Sequence, residues 1–369
     1  MAVKKKKKGK AAHRKRNIII LCTELVLVLV LGIVLRTVAM PVSKMGRIDL
    51  DDTKLRSQMN EGVLNNETLQ NYHTFALFGV DSRQEQLDRA TLSDVIIIAS
   101  VNKTTGDIRL CSVYRDTYMD LCDGDYGKIT AAYSLGGPEK AINALNRNLD
   151  LNITDFVTIG FKGLTDVIDA LGGIDIDVSE EAYLHLNNYQ ITMAQEFYNL
   201  PTIEDVIPGQ HYIPLTQGGY QHLNGLQATA YCRVRYLSGD DLTRSQHQRE
   251  VLQAVFDKAK TASIPQLTAI ADSVFPEVYT SMDLAEIIRL VSDIGKYNLV
   301  GQAGFPQKEM LSFGMIRESY AGSSIIATDL ASNVVWLHLA LYGVENYQLT
   351  PQAQQISDTV RDRTYPYMQ

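Results

Sequence analysis

Three apolar runs in quick succession constrain this chain more than any other feature. Residues 74–80, 95–101 and 108–113 are each short and rich in Ile, Val, Leu and Phe, and each is bounded by charged residues. Runs of this length and composition suit strands buried on both faces. The turn at 102–107 joins the last two into a hairpin, in which the start of one strand lies beside the end of the next. Asp94 and Arg115 are therefore expected to meet. An antiparallel first strand would bring Asp81 and Arg83 to the same edge. Carboxylates and guanidinium groups would then share one rim of a dry sheet, and a pair of rim salt bridges is the plainer reading of this stretch taken alone.

The chain downstream alternates in the same manner. A polar loop over 116–128 precedes a short helix at 129–135 and a longer one at 139–149, separated by Gly136-Gly137-Pro138. A strand at 155–159 is followed by an amphipathic helix at 161–171, closed by Gly172-Gly173. Residues 174–178 alternate as a strand with one wet face. Residues 180–220, rich in Tyr, Asn, Gln and Pro, show no clean period and read as a long surface excursion. A helix at 225–232 feeds Arg233-Val234-Arg235, and a clear helix covers 245–260. Helices near 266–275, 283–294 and 327–343 complete the pattern, with a few short strands. Strands interleaved with helices make an α/β domain.

Charge and hydropathy divide the amino-terminal part. Residues 1–17 carry nine Lys or Arg and no acid, so a net charge of −7 leaves −16 on the remainder. An almost unbroken apolar run at 18–34 extends to Met40, long enough for a spanning helix, and no convincing cleavage site precedes Pro41. The basic tail sets the amino terminus in the cytoplasm and the rest outside the cell membrane. Glu24 is the one acid inside the span. The expected organisation is a cytoplasmic tail (1–17), a transmembrane anchor (18–40), a linker (41–70), a catalytic domain (71–262) and a carboxy-terminal extension (263–369) packed on or following it. Outside the span, Cys111 and Cys232 read as small buried hydrophobes, whereas Cys122, in the polar loop, is expected to be the most accessible thiol.

No GxSxG, HExxH, GxxxxGK[ST] or GxGxxG motif is present. His73, His185, His211, His222 and His247 are scattered without metal-ligand spacing. What remains is a set of acids and arginines: Asp81, Arg83, Asp94, Arg115, Arg233, Arg235 and Arg244, with Lys128 and Gln248 as candidates. Arg233 and Arg235 point the same way if their segment is extended. Guanidinium groups match phosphate oxygens bidentately, and two aspartates can hold Mg²⁺, which takes one or two carboxylates plus substrate phosphate oxygens. The set points to a phosphate or pyrophosphate ligand.

In order, LFGVDSR (77–83), SDVI (93–96), SVYRDT (112–117), KITAAYSLGG (128–137), GFKGLTDVIDALGG (160–173), HLNGLQATAYCRVR (222–235) and GDDLTRSQHQ (239–248) resemble the LytR-CpsA-Psr family of Gram-positive wall enzymes. The departures are Tyr114, where the family often has proline, and the long 180–220 insertion. The resemblance implies a three-layer α/β fold, a central mixed sheet flanked by helices, preceded by one transmembrane helix. It implies a phosphotransferase that moves a glycopolymer, a teichoic acid or a capsular polysaccharide, from a polyprenyl pyrophosphate carrier to peptidoglycan through a phosphodiester. Asp81 and Asp94 would hold Mg²⁺, and with Arg115 they form the implied catalytic set. Arg83, Lys128, Arg233, Arg235, Arg244 and Gln248 would bind the pyrophosphate, and the carrier tail needs an apolar slot beside the membrane lipid. A binder or hydrolase of lipid pyrophosphates would need the same residues. A DNA-binding transcription attenuator fits least, because the charge rule puts an acidic domain outside and leaves no nucleic acid within reach.

Overall fold

The computed structural model describes residues 46–80, 91–235, 240–262 and 278–368. The expected span at 18–40, Asp81, Arg83 and the helix near 266–275 lie outside them, and among the described residues no helix is long and apolar enough to cross a membrane.

The first part of the chain forms β1 (Gly46–Arg47), α1 (Asp52–Gln58), α2 (Glu67–Gln70), β2 (Tyr72–Val80), β3 (Ser93–Asn102) and β4 (Asp107–Val113). Next come β5 (Tyr118–Asp120), β6 (Tyr126–Lys128), α3 (Thr130–Leu149), β7 (Asp155–Gly160), α4 (Phe161–Ala170) and β8 (Ile174–Val178). They lead to α5 (Glu180–Phe197), β9 (Gly219–Leu223), α6 (Gly225–Arg233) and α7 (Asp240–Thr261). The last part holds β10 (Val278–Thr280), α8 (Leu284–Ser292), β11 (Asn298–Phe305), β12 (Leu311–Ile316), β13 (Gly322–Ala327), α9 (Leu330–Tyr342) and α10 (Pro351–Thr364).

Among the described residues the main sheet has seven strands in the order β1-β10-β7-β2-β3-β4-β11. It is mixed: β2 pairs antiparallel with β3 and parallel with β7, and β3 pairs antiparallel with β4. Alternate residues of the apolar runs face opposite ways, as the pleat requires. Ala76, Phe78, Val80, Ile96, Ile98, Cys111 and Val113 share a core with residues of α3, α9 and α10. On the other face, Leu77, Val95, Ile97 and Leu110 cluster with Leu252 of α7. The result is the expected sheet between two helical layers.

Several expectations need correction. The division at 262 does not fall at an edge of the sheet, because β10 and β11 from beyond it pair with β7 and β4. The loop after Arg115 contains the β5–β6 hairpin, which is tied to α3 by Asn148: its side chain accepts from the Asp120 N–H and donates to the Asp120 carbonyl. Cys122, in that hairpin, is consequently only 8% exposed, and burial pushes its thiol up to about 11; Cys111 and Cys232 are buried too, and all three are free thiols. The excursion begins with α5, capped by the Ser179 hydroxyl on Ala182 N–H. Its buried Ala182, Leu186 and Met193 join one apolar cluster with α6 and the small β8–β9 sheet; polar Gln190, also buried, hides the helical period. The expected break at Gly136-Gly137 is observed: both residues have non-helical backbone, with Gly137 at φ 67°, and they divide α3 into a short first helix and a longer second one. The helix expected near 327–343 is α9, which starts three residues later because Ala327 ends β13, and α10 went unread.

Candidate active site

The site begins where two strand ends meet. Ser93 opens β3 opposite Val80, the last residue of β2, so the chain enters and leaves the sheet at one edge. Asp94 stands there, and Arg115, just past β4, donates from Nη1 to its Oδ1. The start of α3 fastens this edge: Thr130 Oγ1 donates to the Ser93 carbonyl (2.9 Å) and Thr130 N–H to the Arg115 carbonyl (3.1 Å). The expected meeting of Asp94 and Arg115 is thus observed.

A second carboxylate, which the sequence reading did not single out, completes the arrangement. Asp241 and Arg244, three apart on α7, form an ion pair on one helical face. Asp241 Oδ1 also lies 3.8 Å from Arg115 Nε. Burial raises the Asp241 carboxyl above its ordinary value, with Arg244 chiefly opposing, and burial lowers the Arg244 guanidinium against the pull of Asp241. For Arg115 burial acts downward, but Asp94, Asp116 and Asp241 outweigh it and hold it above its usual value. Arg115 Nε, Asp241 Oδ2 and Arg244 Nε are buried with no hydrogen-bond partner among the described residues. The i,i+3 spacing inside GDDLTR was the available signal for Asp241.

A cavity of about 230 Å³ opens on this edge, lined by Asp94, Arg233, Arg235, Arg244 and Gln248 together with Phe161, Tyr189 and Cys232. Among the described residues its lining holds three guanidinium groups and one carboxylate, a positive balance that favours an anion. Arg233 ends α6 and is not extended; its guanidinium lies 4.7 Å above the Phe161 ring. Arg235 N–H donates to the hydroxyl of Tyr189 on α5 (3.2 Å), so the 180–220 insertion contributes to the wall. Gln248 donates to the Cys232 carbonyl. Lys128 does not line this cavity: it pairs with Asp116 at 3.1 Å and faces a separate one.

Phe161, Cys232 and Gln248 also belong to a neighbouring slot of about 240 Å³ between the sheet and helices α4 and α7. Leu77, Val95, Ile97, Val157 and Ile159 form its floor, with Leu164, Val167, Val251, Leu252 and Val255 as walls. The capping glycines place α4 for this: Gly172 and Gly173 have φ of 80° and 86°, and Gly173 N–H donates to the Ile168 carbonyl. Gly225 lets α6 approach, because a Cβ there would lie 2.1 Å from the Thr165 carbonyl oxygen. An arginine-lined cavity thus runs into an apolar slot. Tyr114, the departure from the family pattern, is accommodated by Gly304, where a Cβ would lie 2.2 Å from the Tyr114 hydroxyl.

As for magnesium, no group of three His, Cys, Asp or Glu able to hold a metal occurs among the described residues. Asp94 is the one described carboxylate that lines the arginine cavity. One carboxylate beside a phosphate-sized anion site fits Mg²⁺, which completes its shell with water and phosphate oxygens.

The LytR_cpsA_psr family model matches residues 42–325. Among curated relatives, the polyisoprenyl-teichoic acid–peptidoglycan teichoic acid transferase TagV of Bacillus subtilis is 29% identical over 203 residues, which is 54% of this chain and 47% of the relative. The transferase of the same description, TagU of Halalkalibacterium halodurans, is 30% identical over 218 residues, 58% of this chain and 62% of that one. The chain therefore spans about half to three-fifths of the length of these relatives. The solved structure of TagT bound to LIIa-WTA superposes with a TM-score of 0.56 at 21% identity, covering 80% of this chain and 100% of that one, a likeness of fold.

Proposed function

Because the chain belongs to the LytR-CpsA-Psr family, we propose that it transfers a teichoic-acid-type glycopolymer from a polyprenyl pyrophosphate carrier to peptidoglycan. The observation that carries this reading is the continuity of the two cavities, one lined by Arg233, Arg235 and Arg244 and the next almost wholly apolar. A pyrophosphate joined to a long hydrocarbon is a ligand of that shape and polarity. The names of the relatives, teichoic acid transferases, support the substrate class.

In the proposed reaction the arginines bind the pyrophosphate oxygens bidentately. Asp94 fixes Arg115 by their ion pair and Asp241 fixes Arg244, so positive charge is oriented before substrate arrives, which is what phosphoryl transfer demands of a protein. A sugar hydroxyl of peptidoglycan forms a bond to the glycan-side phosphorus. The bond from that phosphorus to the bridging oxygen breaks, the polyprenyl phosphate leaves, and the hydroxyl proton passes to a rim carboxylate. Asp94 would hold Mg²⁺, with Asp81 as its expected partner; a bound ion would neutralise charge developing on the phosphate oxygens. Arg83 is assigned to the same head group by its motif alone. The apolar run at 18–40 would anchor the chain with this domain outside the membrane, beside the lipid pool.

The test is mass analysis of lipid products after incubation with a pyrophosphate-linked donor, with and without peptidoglycan. Acceptor-dependent release of polyprenyl phosphate, with the glycan joined to wall through one phosphate, is expected. Equal release without acceptor would replace the transferase with a hydrolase.

A further inference from the structure

A second cavity, of about 490 Å³, lies on the far side of the Asp94–Arg115 pair. Arg115 lines it, whereas Asp94 lines the arginine cavity, so one ion pair separates the two. Its other polar residues are Asp116, Lys128, Thr130, Ser134 and Glu318, with Tyr320 beside them, 47% exposed. We propose that this cavity binds the acceptor saccharide, deepening the transferase reading on which it rests, and that Tyr320 is its specificity-determining residue.

Charge separates the two cavities in kind. Among the described residues Arg115 and Lys128 are balanced by Asp116 and Glu318, so their charges leave no excess for an anion, unlike those of the arginine cavity. Paired donors and acceptors with an exposed aromatic ring suit a neutral polyol: the charged groups exchange hydrogen bonds with hydroxyls, and the ring covers the apolar face of a sugar.

The groups are also held in place from behind. Glu318 accepts from the Tyr118 hydroxyl and pairs with Arg363 at 3.2 Å. Arg363 in turn lies 4.3 Å above the Tyr126 ring. Tyr320 is fixed through its backbone: its carbonyl accepts from Lys128 N–H at 2.8 Å, and Gly127 packs so close that a Cβ would lie 2.6 Å from that oxygen. The Asp116 carbonyl accepts from Ile325 N–H, which joins β13 to the segment carrying Arg115. The chain beyond β12 thus builds one wall of a cavity that ends at the proposed catalytic arginine. A saccharide there presents its hydroxyl toward Arg115 from the side opposite the pyrophosphate.

The experiment compares wild type with Tyr320→Asn, which tolerates the positive φ of 61° at this position, and with Tyr320→Phe, which retains the ring. Transfer kinetics use a peptidoglycan-derived oligosaccharide as acceptor and a polyprenyl pyrophosphate disaccharide as donor. Tyr320→Asn should raise the acceptor KM about tenfold and leave donor affinity within twofold, while Tyr320→Phe restores the acceptor KM. An unchanged acceptor KM, or parallel loss of donor affinity, overturns the proposal. A second arm measures saturation-transfer NMR of the same oligosaccharide without donor. A saccharide signal that disappears in Tyr320→Asn and returns in Tyr320→Phe supports the saccharide site even if wild type transfers nothing, an outcome that would sink only the transferase reading. Absence of that signal in wild type overturns the site.

Discussion

Asp241 and Arg244 form a buried ion pair three residues apart on α7, and each keeps one polar atom, Oδ2 and Nε, with no partner among the described residues. A pair so arranged is half satisfied within the protein, which leaves Arg244 directional capacity for phosphate oxygens while its charge is already compensated. Removing the carboxylate strands a guanidinium whose side chain is 4% exposed. Breaking a buried pair in this way typically costs ~3 to 5 kcal/mol. Asp241→Ala should therefore lower the urea midpoint well beyond what Asp241→Asn does. Coincident unfolding curves for wild type and Asp241→Ala would show that the pair is solvated.

Asp94 and Arg235 line the same cavity but are expected to fail differently. Losing one partner of a desolvated charge contact costs ~2 to 5 kcal/mol, roughly 30- to several-thousand-fold in affinity at ~1.4 kcal/mol per decade. Arg235→Ala should weaken donor binding by that order. Asp94→Ala should abolish Mg²⁺-dependent turnover yet retain much of the donor binding, since the slot and the other arginines survive. A magnesium titration of turnover and donor affinity separates the two. Normal turnover by Asp94→Ala at saturating donor ends the magnesium assignment.

The sheet was legible because its strands are nearly pure apolar runs, and a hairpin fixes which residues stand at its ends; the meeting of Asp94 with Arg115 follows from chain direction alone. Asp241 was not legible in the same way, because its role depends on α7 crossing the strand ends, a tertiary fact that local pattern does not encode. Helix α5 was hidden by polar residues: Gln190 is fully buried and donates to Asn187, whose side chain bonds both polar groups of Leu215. Cys122 was misjudged because loop composition implied exposure, whereas Asn148 draws the β5–β6 hairpin onto α3.

The slot makes a prediction about chain length. Val167 and Val255 face it from α4 and α7. Tryptophan at either position would fill space the hydrocarbon needs, and apolar burial is worth ~0.8 kcal/mol per methylene. Val255→Trp should weaken a long-chain polyprenyl pyrophosphate by at least tenfold while leaving a short-chain, water-soluble analogue within about twofold. Calorimetric titration with the two ligands tests this. Equal losses for both would mean that the substitution disturbs the head-group cavity, not a lipid path.

The last prediction concerns pH and stability on the opposite face of the sheet. His338, in α9, is fully buried; its Nε2 lies 3.0 Å from the Leu149 carbonyl and its ring stacks on Tyr347 at 3.5 Å. Burial pushes the imidazole down to about 4, against smaller opposing effects of the Leu149 carbonyl and Asp150. The ring is therefore neutral in the folded protein over a range where the unfolded chain, near 6.5, takes up a proton. Stability from this group is fully present above pH 6.5 and is lost as pH falls toward 4, because the unfolded state binds the extra proton. Over that interval the loss is about 3 kcal/mol, at ~1.4 kcal/mol per pH unit. His338→Gln keeps a donor for the Leu149 carbonyl but cannot titrate. It should be less stable than wild type at pH 7 through poorer stacking, yet lose less on acidification. Urea unfolding at pH 7 and pH 4.5 for both proteins measures the difference directly, and parallel losses would assign the acid sensitivity to other groups.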